Sequence, residues 1–457
     1  MNMSGPFRSV ARGWRVELLL FAFVVVLVGP LIHEYGAQQA SRYALSAAIW
    51  EEQTLQLDLY EGVLGIDRSE RGGHTYSDKA PLQPFLGVPV YAIHKAVGGE
   101  SAKTLRVVEN LGVWWMTLWM STIPLGLLAV AMYRFVHRYR QRALVPTLAF
   151  VVATMLLPFG AVLFGHVLAA LFLFWSFSMI SRERPEPTAT VLAGAAAGAA
   201  VAVEYTSALG VVVLAGLVLL QARRRFGWFV LGGVPFVVAL ALYHWAAFGS
   251  PLTHPYQWSA FSGPVSEAAA PLSMFASINL ERIPQVFFAG RGFVIATPLV
   301  VLGLYGLIRM LRSPQRQHRQ TGWVAIVMFV LYLGLVVLWG NPWGGESPGP
   351  RYMMPAIPFL VIGVAMAWDR SRLLSRAAWA VGAATMGLAT LTDPLFSRDI
   401  GGGLPQWIQL AAEGDIVPTV FTMALGPIGW VLHVGLVVAI GRLLLGGQMN
   451  PNPTAIE

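Results

Sequence analysis

Apolar runs long enough to cross a hydrocarbon core, about 17–25 residues each, recur from one end of this chain to the other. That single feature decides the class of fold. Backbone N–H and C=O groups in lipid have to be paired within the protein, so the spans are helices or the strands of a closed barrel. The runs are continuously apolar and lack the alternation of barrel strands. An all-α, polytopic membrane domain over residues 1–457 follows, and composition agrees: 56% of residues are hydrophobic and 12% are charged. Hydropathy places about twelve spans, near 16–32, 105–133, 143–159, 163–180, 188–203, 207–221, 227–247, 292–310, 322–340, 354–368, 377–393 and 419–441.

Charge sets the expected orientation. Arginine clusters fall on alternate loops: Arg134/Arg138/Arg140/Arg142, Arg182/Arg184, Arg223–Arg225, Arg309/Arg312/Arg316/Arg319 and Arg370/Arg372/Arg376. The positive-inside rule puts these loops in the cytoplasm, with both termini. It accounts for the net charge of +8 without a nucleic-acid partner. The first run follows Arg8, Arg12 and Arg15 with no small-residue cleavage site after it, and reads as a retained signal-anchor helix. The chain has no cysteine, which removes thiol nucleophiles, thiolate metal sites and disulfides. No internal repeat of the kind that marks many transporters is evident. Gly194 and Gly198 read as a close-packing face between helices.

Three long segments are left outside: 33–104, 248–291 and 394–418, the last with Gly401–Gly403 and Trp407. In the first, Tyr43–Leu57 and Phe85–Val97 read as short helices lying at the membrane interface. Between them runs the polar stretch Gly72–Phe85, which carries Asp78-Lys79 and enters apolar sequence through prolines. Lys79 is one of three lysines and suits either a lipid phosphate or a snorkelling anchor. Asp58, in Leu-Gln-Leu-Asp-Leu-Tyr, is a carboxylate in an apolar setting and a candidate general base, with Asp67 and Glu34 as substitutes. Asp78, with His74 or His254, offers ligands for a divalent metal ion of unspecified identity. A second polar concentration, 340–352, places Arg351 at the mouth of the next span, and Arg291 holds the matching position before an earlier one. Either guanidinium suits bidentate phosphate binding or interfacial anchoring. His166 and Glu204, near span ends, are candidates for lining a cavity.

Arg42-Tyr43, Asp58, Tyr76-Ser-Asp-Lys-Ala-Pro81 and Trp343-Gly-Gly-Glu-Ser-Pro-Gly-Pro-Arg-Tyr352, in this order, resemble the polytopic GT-C glycosyltransferases. That group holds the protein O-mannosyltransferases and the lipid A aminoarabinose transferase. Asp-Lys-Ala-Pro is similar to the Glu-Lys-Pro-Pro of the latter branch. Gly-Ser-Pro at 249–251, Gly-Arg-Gly at 290–292 and Gly-Pro-Arg-Tyr at 349–352 resemble a bacterial branch of membrane glycosyltransferases. The resemblance implies transfer of a sugar from a polyprenyl-phosphate donor to a glycan, lipid or protein acceptor, at the external face of the bacterial plasma (inner) membrane. It implies a donor phosphate held by Lys79 and Arg351, with Arg291, Arg42 and Tyr352 beside them, and a metal at Asp78 with His254. It also exposes a departure: the acid expected three residues before Arg42-Tyr43 is Gln39. Asp58 is then the replacement, with Glu34 behind it. A transporter or flippase of a lipid-linked saccharide, and a catalytically inactive GT-C-like assembly protein, are the alternatives.

Overall fold

The structure is a computed structural model and describes residues 5–104, 110–182, 185–260, 278–339, 341–395 and 403–446. Arg184, Gly340, Gly401 and Gly402 lie outside these, as do the side chains of Arg8 and Arg12. Helices occupy every apolar run named above. In chain order they are α1 (Gly5–Val28), α2 (Ala37–Glu51), α3 (Leu82–Ala96), α4 (Leu111–His137), α5 (Leu144–Val152), α6 (Leu156–Gly160), α7 (His166–Ile180), α8 (Pro187–Val203), α9 (Ser207–Ala222) and α10 (Phe226–Phe248). They continue with α11 (Arg282–Phe288), α12 (Phe293–Ala296), α13 (Leu299–Leu311), α14 (Arg316–Leu338), α15 (Val361–Ala367), α16 (Arg372–Leu391), α17 (Gly403–Glu413), α18 (Val420–Leu425) and α19 (Ile428–Gly446).

Judged by length and composition, fewer of these than the expected twelve suffice to cross a membrane. Four stretches qualify among the described residues: Leu111–His137, Ser207–Phe248, Arg316–Leu338 and Ile428–Gly446. A fifth forms if Arg282–Ala296 and Leu299–Leu311, bent by 96° at Thr297-Pro298, count as one span. Ser207–Phe248 would run to about 60 Å as one straight helix, twice a hydrocarbon core. The chain breaks at Ala222, whose φ of −156° and ψ of 70° leave helical geometry, and turns through Arg223–Arg225. The remaining apolar helices are short, including α7 and α8.

Small residues let these helices meet backbone to backbone. A Cβ on Gly194 would fall 1.9 Å from the carbonyl oxygen of Phe229, and one on Gly232 would fall 1.9 Å from that of Val191. The Gly-x-x-x-Gly of α8 is therefore the seat of α10, and any side chain there would have to push the helices apart.

The first long loop departs from the all-α expectation. Arg68–Arg71 (β1) and His74–Ser77 (β2) pair antiparallel, with Arg71 opposite His74. Gly72 and Gly73 close the turn at φ of 61° and 80°. Two successive positive φ angles make the type I′ turn that fits the twist of a two-residue hairpin, and glycine adopts both without strain. Ser69 also bridges to Ser259, so the hairpin ties the first long loop to the second.

The loop does carry two short helices: α3 lies close to the expected Phe85–Val97, whereas α2 begins six residues before the expected Tyr43–Leu57 and ends at Glu51. The segment Gln38–Ala48 of α2 is buried at every position, wrapped on all sides instead of lying with one face open. Ser46 Oγ donates to Pro84 O (2.8 Å), and Ser41 Oγ pairs with Ser77 Oγ (2.8 Å). These bonds pin α2 to the end of β2 and the start of α3.

Candidate functional site

Strand β2 buries Thr75, Tyr76 and Ser77 in succession and then carries Asp78 and Lys79 inward. Lys79 Nζ donates to Asp67 Oδ1 (2.8 Å) and to Asp78 Oδ2 (3.1 Å) and sits 5.6 Å from the centre of the Tyr256 ring. Lys79 is 3% exposed and Asp78 1%. Burial lifts the Asp78 carboxyl to about 6 against the pull of Lys79, and the neighbouring Asp67 adds to the rise. Burial pushes Asp67 upward too, but Lys79, with Arg351 and Arg42 behind it, outweighs that and holds it below the ordinary range. Lys79 itself is raised: burial works against its charge, and the two carboxylates prevail.

A second ion pair stands in the same electrostatic neighbourhood. Arg42, on the buried helix α2, bonds Glu204 Oε1 through Nη2 at 2.5 Å, and His166 Nδ1 lies 3.7 Å from that same oxygen. Arg351 arrives from the loop before α15. There Gly344 and Gly345 take φ of 77° and 114°, and a Cβ on Gly344 would strike the Tyr352 ring at 2.6 Å. The guanidinium of Arg351 lies 5.7 Å from the Phe164 ring and 5.5 Å from the Tyr352 ring. Three cations, Lys79, Arg42 and Arg351, thus face three carboxylates, Asp67, Asp78 and Glu204.

Their hydrogen-bonding capacity is not used up. Arg42 Nε and Nη1, Arg351 Nε, Asp78 Oδ1 and both ring nitrogens of His166 are buried without a hydrogen-bond partner among the described residues. Buried polar groups are ordinarily paired, because leaving one unmade costs about 1–3 kcal/mol. Asp78 Oδ1 is an acceptor, but the three guanidinium nitrogens are donors, and they suit acceptor oxygens.

The other expected site residues fall elsewhere. Asp58 is exposed: Oδ1 accepts from Thr75 N (2.7 Å) and Oδ2 pairs with His74 Nδ1 (2.7 Å), so both oxygens fasten the turn end of β2. Burial raises its carboxyl slightly, and those two bonds bring it below the ordinary value. Glu34 is exposed and lines a small, partly open cavity with His33, Gln39, Trp114 and Leu163. That cavity lies beside the charged cluster, sharing α2 and the 161–166 turn with it. Arg291 is buried and donates to Ser347 O (3.3 Å), fastening the loop that carries Arg351. Tyr352 packs on Trp339, with ring centres 4.5 Å apart. Gln39 caps α2 by accepting Gly36 N at 2.9 Å.

The residues present do not fit the metal expected at Asp78 and His254. The ammonium of Lys79 occupies the place between the two carboxylates. His254 Nδ1 accepts from Tyr256 N (3.4 Å), and its ring stacks on Tyr256 at 5.0 Å. No group of three His, Asp or Glu side chains is within reach of one ion among the described residues.

No family model matches the sequence, and no curated protein matches it significantly. Solved structures do. The apo crystal structure of ArnT from Cupriavidus metallidurans is similar with a TM-score of 0.55 at 18% identity, over 96% of this chain and 74% of that one. ArnT from the same organism bound to undecaprenyl phosphate gives 0.54 at 17% identity, over 97% and 74%. The chain has the fold of the GT-C membrane glycosyltransferases. Within that class its layout is similar to that of ArnT, a lipid A aminoarabinose transferase, along nearly its whole length.

Proposed function

We propose that the protein is a glycosyltransferase of the bacterial plasma membrane, taking a sugar from a polyprenyl-phosphate donor and passing it to an acceptor at the outer face. The observation that carries this reading is the group of buried Lys79 and Arg42 with half-buried Arg351, in which three guanidinium N–H-bearing nitrogens are buried and unmatched. A lipid-linked phosphate supplies the oxygens they lack. Its isoprenoid tail needs an apolar groove between helices, which a polytopic GT-C fold provides. The ArnT structure holding undecaprenyl phosphate supports the choice of ligand. In this reading the first two long loops face outward and both termini face the cytoplasm, as the arginine-rich loops require.

Sugar transfer passes through an oxocarbenium-like state in which the bond to the phosphate stretches and charge grows on the departing oxygens. Arg42 and Arg351 are held ready for that charge by α2 and by the Arg291-fastened loop. They stabilise it without the reorganisation water would require. Lys79 adds a fixed positive centre, kept charged by its two carboxylates.

The test uses host membranes containing the full chain and the mixed lipid-linked sugars extracted from the same host. Free polyprenyl phosphate, read by mass spectrometry, is expected to accumulate with the wild-type chain. Arg351→Ala is expected to slow it by about 100-fold or more at equal amounts of inserted protein. Equal turnover by the two would refute the reading.

A further inference from the structure

Glu204 is a largely enclosed carboxylate that the reading above leaves without a task. It ends α8 in extended geometry, at φ of −147° and ψ of 116°, so its side chain leaves the line of the helix. The side chain is 13% exposed, against 2% for its partner Arg42. Oε1 takes the bond from Arg42 and faces His166. The space for it is made by Gly165, where a Cβ would stand 2.6 Å from Oε1.

The same turn of α2 offers no group that could take up a proton. Gln39 lies three residues before Arg42 and therefore on the same helical face. An amide accepts hydrogen bonds but takes up no proton at ordinary pH, and the oxygen of Gln39 already caps its own helix. Four acids of the first long loop are engaged elsewhere. Asp67 and Asp78 hold Lys79, both oxygens of Asp58 hold β2, and Glu34 belongs to the neighbouring cavity. Glu204 is the carboxylate bonded directly to Arg42, delivered from a different helix.

We propose that Glu204 is the catalytic carboxylate of the transfer and receives the proton of the acceptor hydroxyl. The inference rests on the transferase reading. As the acceptor O–H bond breaks, its proton passes to Glu204 and its oxygen forms a bond to the anomeric carbon. The bond from that carbon to the phosphate oxygen breaks in the same event, and its electron pair leaves with the polyprenyl phosphate.

Arg42 couples the two halves of this step. Its Nε and Nη1 carry the hydrogens that a donor phosphate would take up. Once the phosphate is there, part of Arg42's charge is neutralised, and a second anion stands near Glu204. Both effects raise the proton affinity of the carboxylate. Donor binding thus arms the base, and Glu204 without donor remains a quiet ion-pair partner.

The experiment compares wild type, Glu204→Gln and Glu204→Asp in the membrane assay above, alongside binding of undecaprenyl phosphate to the purified proteins. Glu204→Gln is expected to lose about 100-fold or more in kcat while binding undecaprenyl phosphate at least as tightly as wild type, since Arg42 is freed. Glu204→Asp keeps the charge but draws the carboxylate back, and is expected to lose about tenfold or more in kcat with its binding intact. It decides the matter if the glutamine variant fails to accumulate. Turnover within about threefold of wild type in either variant would overturn the assignment. A loss of undecaprenyl phosphate binding as large as the loss of turnover would overturn it as well, because Glu204 would then only hold Arg42 in place. A wild-type chain that releases no polyprenyl phosphate would instead refute the transferase reading, and this inference with it.

Discussion

Replacing Lys79 with methionine is expected to abolish turnover and to cost the fold about 3–5 kcal/mol at neutral pH, as breaking a buried ion pair does. The reason is what remains. Asp67 and Asp78 would face each other in a site where Asp78 is 1% exposed, with their shared counter-ion gone. The pH dependence has a definite sign. The Asp78 carboxyl lies at about 6 in the folded protein against an ordinary 3.8. Its contribution to stability is therefore complete below its ordinary value and fades as pH rises through about 6. Asp67, held below its ordinary value, contributes in the opposite sense, and in wild type the two partly cancel. In Lys79→Met the pull of Lys79 is lost, both carboxyls move up, and the variant is destabilised far more at pH 8 than at pH 5. Thermal unfolding in detergent at the two pH values reads this directly. Adding Asp67→Asn and Asp78→Asn to the methionine variant is expected to restore its stability but not its turnover. A single variant equally stable at both pH values would show that the two carboxylates do not depend on Lys79.

Arg42→Leu is expected to be nearly as damaging, because it leaves Glu204 buried beside His166 without its cation. A loss of about 3–5 kcal/mol follows from the same physics. Arg42→Lys separates charge from shape. It keeps a cation for Glu204 but lacks the planar fork whose Nε and Nη1 stand unmatched. The lysine variant is therefore expected to retain most of its stability while its affinity for undecaprenyl phosphate falls by about tenfold or more. Titration of the purified proteins with undecaprenyl phosphate, and with undecaprenol as the uncharged control, measures it. Wild-type affinity in Arg42→Lys would mean that the phosphate does not use the fork.

Apolar length and arginine spacing made the helices legible, and each expected run is helical. The number that cross was harder to read, since α7 and α8 are short and α11–α13 bend by 96° at Thr297-Pro298. The hairpin went unread although its turn was in view: Gly72-Gly73 between two four-residue strands is a hairpin signal. The polar, charged character of the strands concealed it. Asp58 is a related case. Its neighbours in sequence are leucines, whereas its partners, Thr75 and His74, lie across the chain reversal. Asp78, Lys79 and Arg351 stood out because charge beside apolar sequence is conspicuous. Glu204 is legible only as a candidate for lining a cavity, because its pairing depends on Arg42, 162 residues away, and on Gly165 making room for it.

The most direct test of the whole account is an experimental structure of the full chain with undecaprenyl phosphate. The phosphate is predicted within hydrogen-bond distance of Arg42 and Arg351, close to Lys79, with the isoprenoid running out between helices and Glu204 facing the phosphorus-bound oxygens from the acceptor side. A phosphate bound in the Glu34–Gln39–Trp114 cavity instead, with Arg42 and Arg351 untouched, would contradict it.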